Sequence, residues 1–142
     1  MTEKFTIGLI QMSCSTDPVE NSGKAEARIR EAAGRGAQII CLQELFRTQY
    51  FCREENADLF ALAEPIPGPS TEALSQFARS LNVVIIGSLF ERRAAGVFHN
   101  TAVILDADGS LVGKSEGPKA PLFRPIPQTL FLPCLPIESR II

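Results

Sequence analysis

The sequence predicts an α/β fold, and three observations carry that prediction. Phe5 to Met12 and Ala37 to Leu42 are short apolar runs rich in β-branched and aromatic residues. Between them lies a helix-length segment with a start signal, so strand, helix and strand follow within about forty residues, as in a crossover joining parallel strands. Beyond Val83 the period changes, and apolar runs are separated only by turn-sized gaps, which is the spacing of an antiparallel meander.

Each element has its own signal. Ile7, Leu9 and Ile10 leave the first strand no clean polar side, so it reads as buried on both faces. Asp17-Pro18-Val19-Glu20 starts the first helix. Asp17 can accept from the free N–H groups of the first turn, Pro18 sits where no donor is needed, and Glu20 has the capping-box spacing. Ala25, Ile29, Ala32 and Ala33 supply its apolar face, and Gly34 with Gly36 can end it. The second strand, Ala37 to Leu42, stops at Gln43-Glu44. Phe46 to Asn56 is irregular, and Glu64 to Pro69, with three prolines, forms a stiff loop. Ser70 or Thr71 then caps a second helix whose apolar face is Ala73, Leu74, Phe77, Ala78 and Leu81. Val83 to Leu89 is the third strand. Arg92 to Gly96 separates it from Val97 to Leu105, and Asp106 to Gly109 separates that strand from Ser110 to Gly113.

Composition narrows the function. The 142 residues make one domain by length, and 45% hydrophobic with 21% charged residues is an ordinary globular balance. Fourteen basic against sixteen acidic residues give a net charge of −2, so no basic field draws nucleic acid. No run of eighteen apolar residues spans a membrane, and the N-terminus lacks a secretory pattern. Cys14, Cys41, Cys52 and Cys134 form no C-x-x-C pair and read as reduced thiols. One histidine and scattered acids build no metal site. The expectation is a cytoplasmic protein with no metal or cofactor, no nucleic-acid partner and no membrane association.

Residues 115–142 differ in character. Six of the ten prolines fall there, too closely spaced for a helix or central strand, yet Leu122, Phe123, Ile126, Leu130, Phe131 and Leu132 make the segment too apolar for a solvated linker.

Glu44 is the residue placed for chemistry. It ends the second apolar run, and open α/β sheets place their reactive groups at the carboxyl ends of strands. Glu44 can act there as a general base; by itself it reads more readily as a solvated glutamate that ends a strand or bridges to Arg47.

An ordered series of motifs decides the context. Phe5 to Met12, Ile39-Ile40-Cys41-Leu42-Gln43-Glu44-Leu45-Phe46, Tyr50-Phe51-Cys52, Pro67 to Thr71, and Phe98-His99-Asn100-Thr101-Ala102 followed by Asp108-Gly109 resemble the nitrilase superfamily of carbon-nitrogen hydrolases. Within it, Leu42 to Phe46 with Tyr50 to Glu55 is most similar to the N-carbamoylputrescine amidase branch. The resemblance implies an α-β-β-α sandwich, incomplete in this chain, with residues 5–114 as the N-terminal part of the hydrolase domain and 115–142 as a divergent tail, out of frame or alternatively spliced. It implies a cysteine-glutamate-lysine triad. The thiolate attacks the ureido carbon, glutamate takes the thiol proton and later activates water, and lysine with a backbone N–H stabilises the oxyanion. Carbon dioxide, ammonia and putrescine are the products. Glu44 matches the catalytic glutamate, and Tyr50 matches a pocket-lining position, although a tyrosine packed on the loop surface fits the sequence as well. The partners implied are a small amide or carbamoyl substrate and other nitrilase-family subunits, in a homo- or hetero-oligomer.

The chain departs from that pattern after Gly113-Lys114. Gly117 stands where the family has its catalytic lysine, and Lys119 follows two positions late. Lys114 matches a non-catalytic lysine and reads as a surface charge. Cys134 lies between Pro133 and Leu135-Pro136 with no cationic neighbour, and the spacing puts the family's nucleophile beyond Ile142. His99 reads as a structural side chain. Glu54, Glu55, Asp58 and Glu64 can attract a cationic amine or form a solvated face. Gly8 and Gly87 mark close backbone approach within strands.

Overall fold

The computed structural model describes residues 4–50 and 57–116. Within them, five strands form one sheet in sequential order: β1 (Ile7–Ile10), β2 (Ile39–Leu42), β3 (Val84–Ala94), β4 (Val97–Leu105) and β5 (Leu111–Glu116). β1, β2 and β3 run parallel, with Ile7 opposite Ile39 and Ile39 opposite Val84, while β3, β4 and β5 form the antiparallel meander. Two helices, α1 (Pro18–Gly34) and α2 (Pro69–Leu81), supply the parallel crossovers.

Both helices cover one face of the sheet. Ala25, Ile29 and Ala32 of α1 and Leu74 and Ala78 of α2 pack with Ile40, Leu42, Ile85, Leu89, Val103 and Leu105 in a single core. Two glycines let the layers meet. A Cβ on Gly8 would lie 3.0 Å from the Ala32 Cβ and 3.2 Å from that of Ala37, and one on Gly87 would lie 3.0 Å from Leu74 Cδ1. Among the described residues no α-helix covers the opposite face; Phe60, in the segment Ala57–Leu62, packs against Phe90 and Phe98 at one end of it. Ile7 is 51% and Leu9 48% exposed, so β1 is buried on one face and not on two. Its apolar character on both sides therefore includes a face that folding of these residues does not bury.

Other local expectations are refined. Asp17 caps α1 by accepting from the Val19 N–H at 2.8 Å, but Glu20 reaches Ser15 Oγ at 2.6 Å and Lys24 at 2.6 Å, and the capping box is not closed. α2 starts at Pro69 after Gly68, and Thr71 works from within the first turn, its Oγ1 accepting the Gly68 N–H at 2.7 Å. Ala73 is exposed. β3 runs to Ala94, so Arg92 and Arg93 belong to the strand and the turn centres on Gly96, whose φ is 71°. A 3-10 helix at Ala57–Leu62 was not signalled by any periodicity. Buried Asn21 interrupts the apolar stripe of α1. Its Nδ2 donates to the carbonyls of Ser15 at 2.8 Å and Arg47 at 2.9 Å, and its Oδ1 accepts the Ser15 N–H at 2.8 Å, tying the loops after β1 and β2 to the helix.

Candidate active site

Glu44 lies two residues past the end of β2, on the carboxyl-end side of the three parallel strands, and its side chain is exposed to solvent. The chain turns there because Leu45 adopts the left-handed region at φ 49°, a costly conformation for a branched side chain that is fixed by burying Leu45 in the structure. The same turn aims the Leu45 N–H at Ser88 Oγ, 3.2 Å away on β3. Ser88 Oγ donates to Asn100 Oδ1 of β4 at 2.7 Å, and Asn100 Nδ2 donates to Glu44 Oε1. Ser88 and Asn100 are half-buried positions that alternate with the buried, helix-covered residues of their strands, so this network lies on the open face.

Arg47 does not bridge to Glu44. It pairs with Glu64, whose other oxygen accepts the Ser70 N–H at 3.0 Å at the start of α2. Glu64 is thus a structural tie between the loop after β2 and α2, and not part of a solvated face. Tyr50 is half exposed at the end of the described segment that follows Glu44. Glu54 and Glu55 lie outside the described residues, as do Cys52, Gly117, Lys119 and Cys134.

Lys114 is exposed, as expected of a surface charge, but it is ion-paired. The register sets Lys114 opposite Val103, which is buried beneath the helices, so Lys114 belongs to the covered face and not to the face of Glu44 and Asn100. Its Nζ meets Glu91 Oε1 at 2.7 Å, while Glu91 Oε2 accepts from Thr101 Oγ1 at 2.6 Å and from Arg93 at 2.9 Å. Burial works to raise the Glu91 carboxyl. The hydrogen bonds from Lys114, Thr101 and Arg93, with the Lys114 charge, outweigh it and bring the group down to about 2. His99, opposite Glu91 on β4, is buried within the same face.

Neither described thiol has the character of a nucleophile. Burial pushes the Cys14 thiol up, with the Lys24 charge opposing, and burial pushes Cys41 up as well. Cys14 donates to the Phe46 carbonyl at 3.2 Å and accepts from Gln43 Nε2 at 3.3 Å, which marks it as part of the packing behind the strand ends. Among the described residues, no group of three or more His, Cys, Asp or Glu is placed to hold a metal, and no helix is long and apolar enough to cross a membrane. Ser88 and Glu91 escaped the sequence reading, although each is a polar residue within an otherwise apolar alternation. That is the signal by which they could have been found.

A parallel α/β layer with a carboxylate anchored at a strand end defines the class: an open α/β domain that presents a carboxylate at the carboxyl edge of its strands. The carbon-nitrogen hydrolase family matches residues 6–138, and the chain belongs to it. It is 39% identical over 122 residues to an N-carbamoylputrescine amidase of Oryza sativa subsp. japonica, covering 83% of this chain and 40% of the relative. It is 38% identical over 111 residues to the omega-amidase NIT2-B of Xenopus laevis, covering 78% and 39%. A crystal structure of a carbon-nitrogen hydrolase from Helicobacter pylori G27 superposes with a TM-score of 0.74 at 31% identity, over 79% of this chain and 39% of that one. The chain therefore spans about 40% of the length of the curated relatives it matches. Its helix-on-sheet arrangement is one α-β half of the nitrilase sandwich.

Proposed function

We propose that this chain is the N-terminal part of a hydrolase similar to N-carbamoylputrescine amidase and that Glu44 is its general base. The observation that carries the proposal is the anchored Glu44 carboxylate at the mouth of the parallel strands, held on one oxygen by Asn100 and exposed to solvent. In the full reaction Glu44 takes the proton of an attacking thiol and then that of the hydrolytic water. The substrate is N-carbamoylputrescine, cleaved to putrescine, carbon dioxide and ammonia, with Tyr50 lining its pocket. Neither a thiol of lowered pKa nor an oxyanion lysine stands beside Glu44 among the described residues, and with Gly117 at the position that matches the family's lysine the 142-residue chain is expected not to complete turnover alone. Residues 5–114 supply the hydrolase part. Residues 115–142 come from an altered reading frame or splice; a Tyr-Arg-Lys motif encoded in another frame past codon 114 supports this, and its absence from every frame and neighbouring exon contradicts it.

Replacing the matching part of the rice relative by residues 5–114 of this chain tests the assignment. The chimera is expected to release ammonia from N-carbamoylputrescine in preference to an ω-amide, and Glu44→Gln is expected to abolish the activity. Preference for the ω-amide, which the similarity to the Xenopus protein favours, moves the substrate assignment. Activity that survives Glu44→Gln overturns the role of Glu44.

A second reading follows from the open sheet face around Ile7, Leu9 and Ile104. The chain binds intact family members through its apolar surface without catalysing. Co-expression with an intact homologue followed by size-exclusion chromatography tests it, and separate elution removes it.

A further inference from the structure

The hydrogen bonds around Glu44 have only one possible polarity. The Leu45 N–H can only donate, and it occupies an acceptor site on Ser88 Oγ at 3.2 Å. Ser88 sends its own proton to Asn100 Oδ1 at 2.7 Å. An amide whose oxygen faces that hydroxyl must turn its NH2 the other way, toward Glu44 Oε1, and a carboxylate accepts without conflict. The network begins and ends on adjacent residues. The turn that presents Glu44 also supplies, through Leu45, the donor that fixes the group holding it.

We propose that Asn100 is the positioning residue for Glu44, tying down Oε1 so that Oε2 is the oxygen that exchanges protons, and that Ser88 sets the orientation of the Asn100 amide. No other hydrogen bond to the Glu44 carboxylate is formed among the described residues. The register supports a dedicated role. Asn100 pairs with Phe90 and Ser88 with Ala102, so the two polar side chains are diagonal neighbours on a face otherwise apolar at Ile86, Phe90, Phe98 and Ile104. A charge-assisted bond from an amide that is itself locked from behind restricts the carboxylate to one orientation. The chemical consequence rests on Glu44 being the general base; the geometry does not.

Nuclear magnetic resonance on the isotopically labelled 142-residue chain tests the proposal without any turnover. The Asn100 side-chain NH2 is expected to show one proton shifted downfield of its partner, and Glu44 side-chain couplings are expected to report one rotamer. Glu44→Ala should remove the downfield shift. Asn100→Leu, or Asn100→Asp with acceptor facing acceptor, should average the Glu44 couplings while the backbone spectrum keeps its dispersion. Ser88→Ala should also average them, by freeing the Asn100 amide. A single Glu44 rotamer in folded Asn100→Leu, or an Asn100 NH2 indifferent to Glu44→Ala, overturns the proposal. If Asn100→Leu loses dispersion, Ser88→Ala decides, and unaveraged couplings there overturn it. Failure of the chimera to need Glu44 removes the general-base reading and leaves these resonances as predicted, so the two failures are distinguishable.

Discussion

Lys114 Nζ and Glu91 Oε1 meet at 2.7 Å on the face of the sheet that carries the helices, and this contact joins β5 to β3 across the intervening β4. Glu91 is 2% exposed, while the side chains of Lys114 and Arg93 are 33% and 32% exposed. The partners therefore stay partly solvated while the carboxylate is enclosed, and its other oxygen is satisfied by Thr101 and Arg93.

Acid should weaken the fold through this carboxylate. Its folded value of about 2 lies below the ordinary 4.5, so its contribution is fully present above pH 4.5 and is lost as pH falls from there through 2. The shift corresponds to about 3 kcal/mol at most, since two donors are solvent-screened. Urea unfolding of the chain at pH 6 and pH 3 should show the loss, and Glu91→Gln should be less stable at pH 6 with a flatter dependence between those values. An unchanged slope in Glu91→Gln contradicts the assignment.

Gly8→Val should destabilise by overpacking. The side chain enters where even a Cβ stands 3.0 Å from Ala32 and 3.2 Å from Ala37, and such crowding costs about 1 to 3 kcal/mol. Gly23→Ala is the control on α1, because nothing lies within 4 Å of the added Cβ. Comparable denaturation midpoints for the two variants would show that the layers can part without cost.

Asn21→Leu should be among the more damaging single changes in α1. The buried amide serves two carbonyls and one N–H, and leaving such groups unsatisfied costs about 1 to 3 kcal/mol each. Hydrogen exchange should speed up in the loops after β1 and β2. Protection that is unchanged there would mean that Asn21 is not the tie between them.

Alkylation should find Cys14 and Cys41 slow. Burial raises both thiols, which lowers their thiolate fraction at neutral pH. Mass spectrometry of peptides after brief iodoacetamide treatment should show each modified more slowly than a thiol of the denatured chain. Rapid, selective modification of either would identify a reactive site that the structure does not predict.

The order of strands and helices was legible because its signals are local: apolar runs, Asp17-Pro18, the glycines of the turns. The exposure of Ile7 and Leu9 was not, because an apolar residue looks the same in sequence whether its face is covered by this segment or by another. Glu44 could be placed by its strand-end position and by motif. Its support could not, since Ser88 and Asn100 come together only through the β3–β4 register, and the pairing of the exposed Lys114 was hidden because its partner Glu91 lies one strand further away.

Ammonia release from N-carbamoylputrescine by the purified 142-residue chain tests the central claim most directly, which is that this chain carries the base of the reaction without its nucleophile. The account predicts no release above buffer and no difference between the unaltered chain and Glu44→Gln. Steady release that is lost in Glu44→Gln would contradict it.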